Sequence, residues 1–488
     1  MAFTWSDQQL SIFEELANPT SDVVLIKAVA GATKSSSLVE GTKRYKAIEP
    51  AAKVQYVIFG NTPAAEARAE FGQLAQVSTL HALAHHYTVQ PYGLGTVKPF
   101  VTWRDIPKSI RRPFGIDYDL TQQVEAYCSS GYTNLQDYLQ EQYEINDNWD
   151  YRLDKPIKDV LNAMSRGDMP VTHSFYLKLF HIMVMKGKIK LPPVDRLLVD
   201  EAQDLNRITL DVINNIPAKQ KVLVGDSSQR IFYFLNLIDG FKEFTGAKEL
   251  ALTKSFRVDQ KYAPAIQKFL RKYLDESALF DGMKYPENPT IKTKAYLTRN
   301  NNSLIAKMIG LNEAGIPYHL ASKAKVKQMF ALPLFLIYAA PGRVEKNSDL
   351  KHFQQDMDKY GMLPVSVRAS TTKYAYLLQV NNNEPKLKSA IAMIAKFGSD
   401  AIIEASKQAV IHQKTPCDLS LMTVFMSKGA TFDQVTLDGD LLEIYKKYGM
   451  KRIKSLNEEE RAEMAVLLVA VTRHRHELLN ATFLGAVI

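Results

Sequence analysis

The stretch from Asp22 to Leu38, DVVLIKAVAGATKSSSL, decides how the rest of the chain is read. Val23 to Ile26 is an apolar run of strand type, and it passes through a turn of small residues into Lys34 and the serines Ser35, Ser36 and Ser37. Such a turn, followed by a helix N-terminus, directs backbone N–H groups at phosphates. A lysine there reaches the outer phosphate oxygens, and the Ser35 hydroxyl can hold a magnesium ion. The stretch departs twice from the P-loop pattern: Ala28 stands at its first glycine and Thr33 at the glycine before the lysine. Taken alone, it fits an ordinary strand, turn and helix equally well. At Thr33 the expectation is a slightly shifted turn, with the hydroxyl facing solvent and Lys34 keeping its task. The competing outcome is a reduced nucleotide affinity, because a β-branched residue restricts dihedrals and crowds a phosphate.

A second strand end supplies what such a loop needs. RLLV, Arg196 to Val199, runs directly into Asp200, Glu201, Ala202, Gln203 and Asp204. Carboxylates at the end of a buried strand are costly unless ions or hydrogen bonds meet them, which suits Asp200 to magnesium and Glu201 to activating water. An acidic first turn of a helix is the plainer reading. The pattern repeats at Lys221 to Val224, followed by Gly225, Asp226 and Gln229. Three polar clusters at strand ends point to a parallel α/β sheet.

Ala28 to Ser35, DEAQD at Asp200 to Asp204, VGDSSQRIF at Val224 to Phe232 and VAVTR at Val469 to Arg473 resemble the successive motifs of superfamily 1 DNA helicases of the UvrD/Rep type. The phrase MPVTHSFYLKLF, Met169 to Phe180, resembles the F-box DNA helicase branch and its phage and bacterial relatives lacking the F-box. The resemblance spans nearly the whole chain and is weak in the insertions. It implies an α/β fold with two RecA-like P-loop motor domains with parallel sheets, plus inserted accessory subdomains. The first motor domain then takes residues 1–89 and 167–244 around an insertion at 90–166, and the second takes 245–329 and 412–488 around a small insertion at 330–411.

The implied cofactors are ATP and magnesium. Ala30, Gly31, Ala32, Thr33, Lys34, Ser35 and Ser36 would line the phosphates, with Ser35 and Asp200 on the metal. Lys34, Asp200, Glu201, Gln229, Arg257 and Arg473 would carry hydrolysis. Gln9 matches the adenine-contacting glutamine, and its neighbour Gln8 is the runner-up. Arg257, in LTKSFR, and Arg473 would reach ATP from the second motor domain, a guanidinium being able to bridge phosphate oxygens and stabilise transferred charge. His474 and Leu468 depart from the family's alanine and tyrosine, and Thr431 has no acidic match. Phe59, Asn61, Thr79, His81, Phe232, Ser427 and Lys428 match positions that touch DNA. Phe59 fits a strand core nearly as well, while His81, with His85 and His86, lacks the surrounding ligands of a metal site. Tyr176 and Lys178 are DNA or interdomain residues in the same reading.

Composition agrees with a protein of several domains. The chain has 488 residues, 46% apolar content and a formal charge of +9 from 61 basic and 52 acidic residues, a balance that suits a polyanionic partner. Basic residues gather at KSIRR, Lys108 to Arg112, equally readable as a solvated turn. Two cysteines, Cys128 and Cys417, argue for a reducing compartment, and the amino terminus lacks the pattern of a secretory leader. Expected partners are single-stranded DNA, junctions with duplex, and replication or recombination proteins, with no membrane. The expected location is cytoplasmic, from a bacterial or phage source. Translocation would run 3′ to 5′. Competing classes are a nucleotide-gated DNA-binding or remodelling protein with weak or absent ATPase, and an unrelated P-loop enzyme such as a small-molecule kinase.

Overall fold

A computed structural model describes residues 4–485, apart from 102–104, 112–117, 148, 233–236, 321–322, 340–384 and 413–414. Much of the expected 330–411 insertion, and Arg112 of the basic cluster, lie outside the described residues. The chain divides into two compact units, Met1–Phe256 and Arg257–Ile488.

The first unit is built on six parallel strands: β1 (Val23–Ala28), β2 (Val54–Val57), β3 (Gln76–Ser78), β6 (Val194–Val199), β7 (Ala218–Gly225) and β8 (Lys248–Leu252), ordered β3-β2-β6-β7-β1-β8. Alternating residues of these strands feed cores on both faces, which is why they read as continuous apolar runs. On one face Val24, Ile26, Tyr56, Leu198, Val222 and Val224 meet the helices α1 (Asp7–Ala17), α2 (Lys34–Ile48) and α3 (Asn61–Phe71) through Ile12, Phe13, Leu38 and Phe71. On the other, Leu25, Val57, Leu197, Val199 and Leu223 meet α4 (Leu80–Thr88), α9 (His173–Met185) and α10 (Arg207–Asn215). The register pairs Lys27 with Gly225, and Leu223 with Val199, so Ala28, Asp226 and Asp200 leave the sheet at one carboxyl edge. That edge is where parallel sheets hold ligands.

Between these segments, α5 (Lys108–Arg111), α6 (Tyr118–Ser129), α7 (Leu135–Ile145) and α8 (Asp154–Ser165) build a separate helical core with β4 (Val97–Lys98) and β5 (Val171–Thr172). This core extends past the expected limit at 166, drawing in Met169, Val171 and Phe175, because β5 pairs with β4. A second boundary also moves. β8 lies beyond 244 yet pairs in parallel with β1, so Lys248–Leu252 belongs to the first sheet rather than to the second motor domain. Glu15 helps to fix it there: this buried carboxylate accepts hydrogen bonds from the Thr20 and Ser21 backbone, from Gln220 and from Lys248 at 2.5 Å.

The second unit opens inside β9 (Lys254–Asp259), which pairs with β10 (Asp281–Met283), and continues through α11 (Ala263–Tyr273). Its sheet, β11 (Lys294–Thr298), β12 (His319–Leu320), β13 (Leu419–Thr423), β14 (Phe432–Leu437) and β15 (His474–Leu479), is parallel and ordered β12-β13-β11-β14-β15. α12 (Asn301–Glu313), α13 (Lys323–Ala339), α14 (Pro385–Phe397) and α15 (Ser399–His412) share one core that includes Met308, Phe330, Met393 and Ile402. The remaining helices are α16 (Val424–Ser427), α17 (Gly439–Tyr448) and α18 (Glu458–Val471). Among the described residues no helix is long and apolar enough to cross a membrane.

Candidate nucleotide site

β1 ends at Ala28 and α2 begins at Lys34, so the residues between them form a tight turn at the carboxyl edge. Gly31 has φ 76°, and Thr33 is held in the left-handed region at φ 55°, ψ 41°. A left-handed conformation costs a non-glycine residue roughly 1–2 kcal/mol. Ala32 N–H donates to Val29 O, while Gly31 O accepts from Phe256 N–H. The Thr33 hydroxyl does not face solvent as expected. It donates to Ala32 O at 2.7 Å and accepts from Gln9 Nε2 at 3.0 Å. The reason is that α1 packs along α2 and sets a buried amide beside the turn.

Lys34 Nζ donates to Glu201 Oε1 at 2.9 Å. Burial alone would lower the lysine's pKa, but Glu201, Asp200 and Asp226 more than offset it and hold the ammonium protonated well above its ordinary range. Glu201 itself sits at φ 53°, so two of the three non-glycine positive-φ residues among the described ones flank this ion pair. Gln203, fully buried, donates to Glu201 Oε2 at 2.5 Å and accepts from Asp226 N–H at 3.0 Å. Asp226 also accepts from Gln229 Nε2 at 2.5 Å. A Cβ at Gly225 would collide with Gln203 Oε1, which explains the glycine at that strand end. Burial raises the pKa of both Asp200 and Asp226, so these are carboxylates short of compensating positive charge.

Tyr56 adds a group that the motif reading missed. Its ring is buried in β2, and its hydroxyl donates to Asp200 Oδ2 at 2.5 Å. Asp200 Oδ1 accepts from Glu201 N–H. The phenol therefore touches an expected magnesium ligand. A polar hydroxyl inside an otherwise apolar strand was the signal available in the sequence, since a buried donor needs a partner. Gln203 carried a similar signal as the buried amide of DEAQD.

The expected DNA-contacting residues fall in different settings. Phe59 is half-buried against the core of the first sheet. Asn61 opens α3, and its side chain lies outside the described residues. Thr79 is buried and caps α4 by accepting from Ala82 N–H. His81 is exposed in the next turn, its ring edge-on to His173 and Tyr176. Phe232 is half-buried after the turn that holds Gln229. Lys178 is not a surface contact: it is buried and donates to Ser130 O at the end of α6. In the second unit Ser427 is fully buried, with its hydroxyl on Val424 O, so its side chain does not offer a contact; Lys428 beside it is half-buried.

The two arginines of the second unit lie at one helix end. Arg257 Nη1 donates to Thr472 O, and Arg473, 1% exposed, donates from Nε to Val469 O and from Nη2 to Thr472 Oγ1. Guanidinium groups on the last carbonyls of α18 are favoured by the helix dipole. His474 packs edge-on to Tyr262, and burial pushes its pKa down to about 3, leaving it a neutral neighbour of Arg473.

Residues 9–235 match the family described as an AAA domain. The chain is similar to F-box DNA helicase protein 1 of Schizosaccharomyces pombe, with 24% identity over 519 residues, covering 97% of this chain and 57% of the relative. It thus spans little more than half of that protein. Among solved structures it is similar to the PRRSV helicase at 12% identity and a TM-score of 0.31, covering 96% of this chain and 53% of that one. The match to the AAA domain covers the phosphate-loop turn and the strands of the first sheet other than β8, in an α/β fold whose parallel sheets are consistent with a RecA-like motor.

Proposed function

We propose that this protein is a DNA-stimulated ATPase and DNA helicase that moves 3′ to 5′ along single-stranded DNA and separates duplex in replication, recombination or repair. The observation that carries the reading is the Lys34–Glu201 ion pair, joined through Gln203 to Asp226 and Gln229 on the strand ends beside the phosphate loop. In it, an incoming γ-phosphate takes Lys34 from Glu201, which frees that carboxylate to position and deprotonate water. Gln203 keeps Glu201 aimed, and Gln229 ties the arrangement to the end of β7. Ser35 and Asp200 would hold magnesium, which neutralises charge on the phosphates when bound. The residues fit such an ion, because Asp200 is a buried carboxylate at the strand end beside the phosphate loop, its pKa raised by burial.

Arg257 and Arg473 are the second unit's phosphate-reaching residues in this reading, and Arg473 must leave Val469 O to serve. Phe59, His81, Phe232 and Lys428 carry the single strand. A reducing compartment suits two free cysteines, Cys128 and Cys417. Thr33 in a left-handed conformation favours a second reading, a nucleotide-gated DNA-binding protein with little hydrolysis. The two separate in one assay of phosphate release with and without single-stranded DNA. The helicase reading expects stimulation by DNA, abolition by Lys34→Ala, and a loss of about 10²–10⁴-fold with nucleotide still bound in Glu201→Gln. Full turnover in Glu201→Gln would remove its role as base, and absence of turnover in the parent with retained ATP binding would favour the second reading.

A further inference from the structure

We propose that Gln9 is a positioning residue that holds the phosphate loop in shape through the Thr33 hydroxyl. The inference rests on the loop being a nucleotide site and concerns how this chain builds it.

A primary amide offers two N–H donors and a carbonyl oxygen with two lone pairs. In Gln9 all are engaged within the protein. Oε1 accepts from Ser6 N–H at 3.0 Å and Ser6 Oγ at 3.2 Å, completing the capping box of α1. Nε2 donates to Thr33 Oγ1 at 3.0 Å and Ser37 Oγ at 3.3 Å. Gln9 is 0% exposed, and its amide is held between the α1 cap and the loop. Its neighbour Gln8 exchanges hydrogen bonds with Thr253 at the end of β8.

Glycine enters the left-handed region without strain, whereas a β-branched residue there must be held by its surroundings. Thr33 is in that conformation, and its oxygen atoms close a ring with α1 and α2. Its hydroxyl meets Gln9, and its carbonyl accepts from Ser37 N–H and Ser37 Oγ. Gln9 bonds Ser37 as well. α1 is a firm anchor because Ile12 and Phe13 are fully buried in the core shared with Leu38. Where a P-loop ordinarily relies on glycine, this chain uses a hydroxyl and a buried amide to impose the same backbone shape.

The test is a double-mutant cycle on the full chain with Gln9→Ala, Thr33→Gly and the pair. Displacement of a fluorescent ATP analogue by ATP, GTP and inorganic tripolyphosphate reads the site, and thermal unfolding without nucleotide reads the clamp. Gln9→Ala should weaken all three ligands alike, by about ten-fold, the scale of one buried hydrogen bond lost with its partner left unsatisfied. With Thr33→Gly already present, the same change should cost less than about three-fold, and the melting-temperature effects should be non-additive. A loss confined to ATP, equal in both backgrounds, would make Gln9 a base reader and overturn the proposal. If the parent binds none of the ligands, the nucleotide reading itself fails. The unfolding cycle then decides the clamp alone, where additivity overturns it and coupling sustains it.

Discussion

At the residue scale the site depends on groups that motif positions do not name. Tyr56 holds Asp200 Oδ2 at 2.5 Å. Burial and the Asp200 carboxylate hold its phenol protonated far above the ordinary tyrosine range, so it is a donor at every pH of interest. Tyr56→Phe keeps the ring packed between α3 and the sheet and removes only this hydrogen bond. Groups that orient metal ligands typically govern affinity by 10–100-fold, so the magnesium concentration needed for half-maximal nucleotide binding should rise by about 10-fold or more. Titrating magnesium against a fluorescent ADP analogue measures it. An unchanged midpoint would show that Tyr56 serves packing alone. DEAQD announced Asp200 and Glu201, but that a tyrosine in β2 serves them follows only from β2 pairing beside β6.

Helix α9 shows at the element scale how a phrase with family resemblance serves the architecture. Lys178 is buried, donates to Ser130 O at 2.8 Å and lies 4.5 Å from the centre of the Tyr127 ring, tying α9 to the inserted helices. Burial pushes its pKa down to about 8, with Cys128 and Asp211 only partly opposing. The sign follows from proton counting. Between the folded value and the ordinary lysine value of about 10.4, the unfolded chain binds the proton and the folded chain does not, so stability rises with pH. The parent should therefore gain stability relative to Lys178→Met across that window, by roughly 3 kcal/mol in full. Urea unfolding at a series of pH values gives the difference directly, and parallel curves would refute it. The sequence offered Lys178 as a DNA or interdomain residue. Burial decides that it is a strut rather than a DNA contact.

For the whole molecule, the reading concerns direction and grip. A chain of net charge +9 binds polyanions in low salt whatever its mechanism, so binding alone identifies nothing. Unwinding of short duplexes should favour a 3′ single-stranded tail over a 5′ tail, and this preference should persist as salt is raised while affinity falls. Equal use of both tails, or exclusive use of the 5′ tail, would sink the proposed polarity. His81→Ala should impair unwinding more than nucleotide binding, because His81 is exposed at the edge of α4 and away from the Lys34–Glu201 pair in its bonding.

What the sequence determined by itself was local chemistry and its order: an apolar strand, a small-residue turn and a lysine, then carboxylates at two further strand ends. Period and composition suffice for that, because strand burial and turn conformation are written in neighbouring residues. Tertiary structure decided the rest, because it depends on which distant segments pair. β8 joined the first sheet by lying along β1, which moved a domain boundary past 244. Gln9 met Thr33 because α1 packs on α2, which ties the first helix to the loop. Lys178 was buried against Ser130 and Tyr127, far away in sequence. A side chain's hydrogen-bonding capacity is local, but the partner that consumes it is chosen by the fold.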